Sequence, residues 1–150
     1  MPAARRSSRS ENGAGRVGVT PVVRISDRQR VNDARRAARN VARSLGFSAV
    51  DTETVALVAG ELAMNLHRYA SDGEIVVEVI GEPDARGLRI ISRDTGPGIP
   101  DVEAAMRDGF STGGGLGSGL PATRRLMDTF ELATGEGGTV ITASKWPTRR

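Results

Sequence analysis

The chain has 150 residues, 38% of them hydrophobic, with no cysteine, one histidine and a formal net charge of +3. That length suits one domain with its own core. The absence of cysteine excludes disulfides, thiolate metal sites and a cysteine nucleophile, and His67 alone leaves little for a zinc site or a Ser-His-Asp triad.

Arg5, Arg6, Arg9 and Arg16 against Glu11 account for the whole net charge, so the chain beyond residue 20 is neutral. With only Trp146, Tyr69 and three phenylalanines, it also lacks an aromatic platform for bases. No nucleic-acid partner is expected. No apolar run approaches the roughly 20 residues of a membrane helix, and the early arginines are not followed by the apolar segment of a secretory signal. The expectation is a cytoplasmic protein with no membrane partner.

Residues 1–16 (MPAARRSSRSENGAGR) are small, polar and basic, with nothing to bury, and read as a disordered tail before a domain over 17–150. Val17–Ile25 is β-branched enough for a strand, and Pro21 suits an edge position. Ser26 or Asp27 is placed to cap a helix in which Val31, Ala34, Ala38, Val41, Ala42 and Leu45 recur at helical spacing, closed by Gly46. Arginines 28, 30, 35, 36, 39 and 43 cover the remainder of that helix and read as a solvated face.

A second helix starts after Ser48 or Asp51 and runs to about Ala70, with Val55, Val58, Leu62, Leu66 and Tyr69 as its buried stripe. Glu61 and Asn65 stand four apart and share a face, with Arg68 one turn on. A carboxylate, a carboxamide and a guanidinium so aligned suit Mg²⁺ and a phosphate. They also suit an ordinary polar surface. His67 points elsewhere and reads as a bystander.

Two strands, Glu74–Ile80 and Leu88–Ser92, flank GEPDARG and form a hairpin. The second delivers Asp94 to a loop. Asp101–Asp108 reads as a short helix, and Ser118 caps another running to Phe130 with Pro121 in its first turn. A closing hairpin pairs Phe130–Ala133 with Thr139–Trp146 across TGEGG. The order β, α, α, β, β, short α, α, β, β predicts an α+β two-layer sandwich: helices on one face of a mixed, mainly antiparallel sheet.

Between Asp94 and Leu120 glycine recurs at 96, 98, 109, 113, 114, 115, 117 and 119. Such density costs backbone entropy on folding. It also lets backbone N–H groups crowd an anion that a Cβ atom would keep away. Met106, Phe110 and the leucines interrupt the run, which argues against a flexible linker. A P-loop needs a lysine after its glycines, and the only lysine is Lys145. A Rossmann fingerprint follows a first strand, whereas Gly115-Leu-Gly117-Ser-Gly119 comes late.

A third pattern fits. Glu61-x-x-x-Asn65, then Asp94-Thr-Gly96-Pro-Gly98-Ile, then Gly113-Gly-Gly-Leu-Gly117-Ser-Gly119-Leu resembles the asparagine box and two glycine boxes of the GHKL (Bergerat-fold) ATPases. Within them, ELAMNLHRYA, RDTGPGIPD, GFSTGGGLGSGLPATRRLMDTF and ITASKW look most like the RsbT-like serine/threonine switch kinases of bacterial stressosomes, an anti-sigma regulatory kinase group. The likeness spans about residues 20–147.

The resemblance implies ATP and Mg²⁺ as cofactors. It implies Asn65 as the metal ligand and Glu61 as general base, or as the group that orients the attacking hydroxyl. Asp94 would bind the adenine amine, within the loop holding Gly96 and Gly98. Gly98 would leave room for the ring, and Thr139 would support Asp94 or its water. Gly113, Gly114, Gly115, Leu116, Gly117, Ser118, Gly119 and Leu120 would wrap the phosphates, and Arg68 would offer a phosphate contact. The implied partners are a STAS-domain substrate on the stressosome scaffold and the regulatory domain of a PP2C-type phosphatase. The rival reading is an RsbW-type anti-sigma factor that sequesters a sigma subunit.

Overall fold

The computed structural model describes residues 20–70, 72–96, 98, 106 and 119–148. In chain order these give β1 (Val22–Arg24), α1 (Gln29–Ser44), α2 (Ala49–Tyr69), β2 (Gly73–Glu82), β3 (Ala85–Asp94), α3 (Gly119–Leu126), β4 (Thr129–Gly135) and β5 (Gly138–Lys145). The five strands form one sheet in the order β1-β2-β3-β5-β4, and every pairing among them is antiparallel, so the expected mixture of directions is absent from the described strands. The basic tail and the short helix expected over 101–108 lie outside the described residues, Met106 apart.

The strand register sorts the side chains into layers. Val77, Ile90, Ala143 and Phe130 form one row across β2, β3, β5 and β4, and Ile75, Ser92, Ile141 and Leu132 form the next. Those rows face the helices, because alternate strand residues share a side of the sheet. Ile75, Val77, Leu88 and Ile90 are wholly buried there. Each such side chain contributes about 1.5–3 kcal/mol on burial. The opposite face carries cross-strand ion pairs, Arg89–Glu78 at 2.6 Å and Arg93–Glu74 at 3.0 Å. Pro21 precedes β1 at the sheet edge, as expected for a residue without an N–H.

On the helical layer α1 buries Val31, Ala34, Ala38 and Ala42, and its alanines allow close approach to α2. At the start of α1 the capping bonds come from Asp27, one of the two residues placed for that role. Arg28 occupies the N-cap position without a side-chain bond, while Asp27 Oδ1 accepts from the N–H of Gln29 (2.9 Å) and Arg30 (3.3 Å). Ser48 caps α2, its Oγ accepting from Asp51 N at 3.0 Å. The inward stripe of α2 runs through Val55, Val58, Leu62 and Leu66 but not Tyr69, which is 54% exposed. The chain turns extended at Ala70, and that residue, not Tyr69, packs against the core.

The arginine face of α1 is more than solvated. Arg39 clamps Glu53 of α2 through two bonds of 2.9 and 3.0 Å, and the Arg35 side chain lies over Gly60, where an added Cβ would meet its Nε. β2 and β3 extend past the expected hairpin to a two-residue turn at Pro83 and Asp84, because their ladder continues through Gly81–Arg86 and Glu82–Ala85. Helix α3 stops at Leu126 instead of reaching Phe130. Lys145 Nζ closes its end on the Leu126 carbonyl (3.1 Å), and Asp128 N already bonds Ser144 O (2.8 Å), which commits the chain to the sheet.

Candidate nucleotide-binding site

Below the two apolar rows the register places a third row on the same face: Gly73, Asp94, Thr139 and Thr134. It is the polar margin of the helix-facing surface, where the sheet runs out from under the core. Asp94, at the end of β3, is half-buried, and its Oδ1 accepts from Gly96 N at 2.8 Å. The carboxylate thereby sets the first step of the following loop, an Asx-type turn. Thr139 is buried, and its Oγ1 lies 2.8 Å from Thr134 Oγ1.

Two glycines make this corner possible. Gly98 has φ +87°, and a Cβ there would collide with the carbonyl of Gly135 and come within 3.0 Å of Thr134 Oγ1. Gly138 has φ +130°, and a Cβ there would run into the carbonyl of Asp94. Both need a backbone that side chains rarely adopt. The β4–β5 turn is therefore pressed against both the Asp94 carbonyl and the Gly98 loop.

The other half comes from α2. Gly96 is buried, and a Cβ on it would lie 3.8 Å from Ala70 Cα and 3.9 Å from Tyr69 O. The Asp94 loop thus abuts the C-terminal end of the helix that carries Glu61 and Asn65, both half-buried. Arg68 and His67 are exposed in its last turn. α3 packs against α2, beginning at Gly119 with φ +42°, and its Thr123 Oγ1 bonds Gly119 O at 3.2 Å. The Leu120 side chain is buried in the core, so only its backbone is available to a ligand. Gly113, Gly114, Gly115, Leu116, Gly117 and Ser118 lie outside the described residues.

Among the described residues no three His, Cys, Asp or Glu side chains cluster to hold a metal. A Mg²⁺ ion bound by one side-chain oxygen and substrate phosphates needs no such cage. Asn65 supplies an oxygen of that kind, one turn from Glu61. The residues present fit that mode of binding.

Thr134, Gly135 and Gly138 were not singled out by their sequence. TGEGGT reads as turn chemistry, and only the β3–β5 register brings it against Asp94. The double glycine before Thr139 was the one available signal.

Residues 25–145 match the model of the histidine kinase-like ATPase domain. The chain belongs to that family of ATPases. Within it, the chain is 48% identical over 125 residues to the serine/threonine-protein kinase RsbT of Bacillus subtilis (strain 168), covering 83% of this chain and 94% of that one. It is thus a member of the RsbT-like protein kinases. Among solved structures, the histidine kinase domain from the Erythrobacter litoralis EL346 blue-light activated histidine kinase matches with a TM-score of 0.47 at 18% identity, over 88% of this chain and 70% of that one. No helix among the described residues is long and apolar enough to cross a membrane.

Proposed function

We propose that the chain binds Mg-ATP where the end of β3, the C-terminal half of α2 and the start of α3 meet, and phosphorylates a serine or threonine of a STAS-domain antagonist. The observation that carries this reading is the abutment of the Asp94 loop on the end of the Glu61–Asn65 helix, at Gly96. An adenine reader and a transfer centre require that adjacency.

In this reading Asp94 accepts from the adenine amine, Gly98 leaves space for the ring, and Thr139 supports the carboxylate or a water beside it. In the same reading, residues 113–119 wrap the phosphates, with the α3 N-terminus contributing its positive dipole end, and Arg68 reaches a phosphate from its exposed position. Asn65 holds Mg²⁺, which neutralises charge on the phosphates when bound. Glu61 takes the proton of the incoming hydroxyl as its oxygen bonds to the γ-phosphorus and the bond to the β-phosphate oxygen breaks, leaving ADP. Such a reaction asks for positioning and charge neutralisation more than covalent participation.

Once released from the stressosome scaffold, the kinase engages the regulatory domain of a PP2C-type phosphatase. Co-purification from the native host tests the partner assignment. A STAS-domain protein among the captured partners supports it. A sigma factor captured without any STAS protein replaces it with the RsbW-type reading.

A further inference from the structure

We propose that Thr134 is a positioning residue for adenine recognition, acting through Thr139. The inference rests on the nucleotide reading above and deepens it. Thr134 and Thr139 are direct cross-strand partners, and Thr139 is in turn the direct partner of Asp94, so the three side chains stand in line on one face. The two hydroxyl oxygens are 2.8 Å apart, and either is a competent donor.

A hydroxyl has one hydrogen and two acceptor lone pairs. When Thr134 supplies the hydrogen of the Thr–Thr bond, the hydrogen of Thr139 is left for Asp94 or for a water shared with the base. When Thr139 supplies it, Thr139 presents only lone pairs to the Asp94 carboxylate, which also has only lone pairs to offer. The carboxylate therefore favours the first arrangement, with Thr134 donating. Thr139 is buried, so bulk water is poorly placed to take over that donation. Thr134 also stands against the glycine loop, within 3.0 Å of where a Gly98 Cβ would lie. Thr134 is thus joined in register, through Thr139, to the strand position of the carboxylate assigned to read the base, and its hydroxyl lies against the glycine assigned to make room for it.

Thr134→Val keeps the shape and β-branching while removing the donor. Calorimetry with a non-hydrolysable ATP analogue, competition with GTP, and thermal melting are read on the parent, Thr134→Val, Thr134→Ser and Asp94→Asn. The expected loss in Thr134→Val is about three- to tenfold in affinity for the ATP analogue, the usual worth of one hydrogen bond. GTP affinity stays unchanged, so the preference for adenine narrows, and Thr134→Ser restores it. A role confined to stability would lower the melting temperature or weaken both nucleotides alike while leaving the ratio of ATP to GTP affinity unchanged, and an unchanged ratio overturns the proposal. Unchanged ATP affinity in Thr134→Val, with loss in Asp94→Asn, sinks the Thr134 role and leaves the site standing. Unchanged affinity in Asp94→Asn removes the adenine assignment itself. Should Thr134→Val fail to fold, Thr134→Ala read by the same nucleotide ratio decides the matter.

Discussion

Gly138 and Asp94 are locked backbone to backbone: the α-carbon of Gly138 lies so close to the Asp94 carbonyl that a methyl group between them has no room. The glycine also has φ +130°. The closing turn of the β4–β5 hairpin thereby fixes the height at which Asp94 leaves the sheet, and links a remote stretch of sequence to the proposed adenine reader.

Gly138→Ala introduces both a disfavoured backbone and a collision with main-chain atoms that cannot swing aside. Backbone strain of this kind costs about 1–3 kcal/mol. The variant is expected to melt several degrees lower. It should also bind ATP more weakly than its lost stability explains, because the Asp94 carbonyl has to move. Calorimetry well below the melting transition checks this; parent-like ATP affinity there would mean that the turn does not set Asp94.

Asn65→Ala removes the proposed metal oxygen from a half-buried helical position and leaves a residue of high helix propensity. The fold should remain cooperative, and magnesium-dependent ATP binding should fall by tenfold or more. Titration with and without Mg²⁺ reads it directly. An unchanged magnesium dependence in the variant would remove Asn65 from the metal site.

A buried carboxylate at the opposite end of α2 from Asn65 gives a pH prediction. Asp51, in the first turn of α2, is 6% exposed and accepts from Thr148 N at 2.9 Å. Burial by itself would raise its pKa, but the Thr148 hydrogen bonds, the Lys145 charge and Ser48 outweigh burial and hold it below the ordinary aspartate value. A pKa lowered by folding means that the unfolded chain binds this proton more readily. The stabilisation is therefore complete above the unfolded value of about 3.9 and drains away as pH falls through the lower folded value. Melting temperatures of the parent and Asp51→Asn should differ most near neutrality and converge below about pH 4. A gap that stays constant down to pH 3 would assign Asp51 a packing role only.

Helix α2 was legible almost to the residue, because a serine cap, an apolar period of 3.6 and a helix-compatible composition all agree from Ser48 onward. Tyr69 was misplaced because periodicity continues the stripe past the point where the backbone turns extended at Ala70. The end of α3 was misread for a different reason. Nothing local stops the helix before Phe130; a tertiary bond from Lys145 and the pairing of Asp128 with Ser144 do. Arg39 looked like solvent because a sequence does not show that Glu53 lies opposite it on the next helix. At the candidate site, Glu61, Asn65, Asp94, Gly96, Gly98 and Thr139 were recognisable as parts of a spaced pattern. Thr134 was not. Its significance comes from strand register, which a turn-rich hairpin leaves open at the level of sequence.

The central claim is that phosphate moves from ATP to a protein hydroxyl with Glu61 as the base. Glu61→Gln keeps the side chain's length and hydrogen bonding but abolishes its basicity. A general base acts only in the transfer step, so binding of ATP and of the STAS partner should stay near the parent level. The measurement is radiolabelled phosphate transfer from ATP to a purified STAS-domain partner, parent against Glu61→Gln, with a pull-down of the same pair alongside. The account predicts transfer by the parent and a loss of about 10²–10⁴-fold in the variant, at preserved binding. A parent that transfers no phosphate yet holds a sigma factor tightly would contradict it.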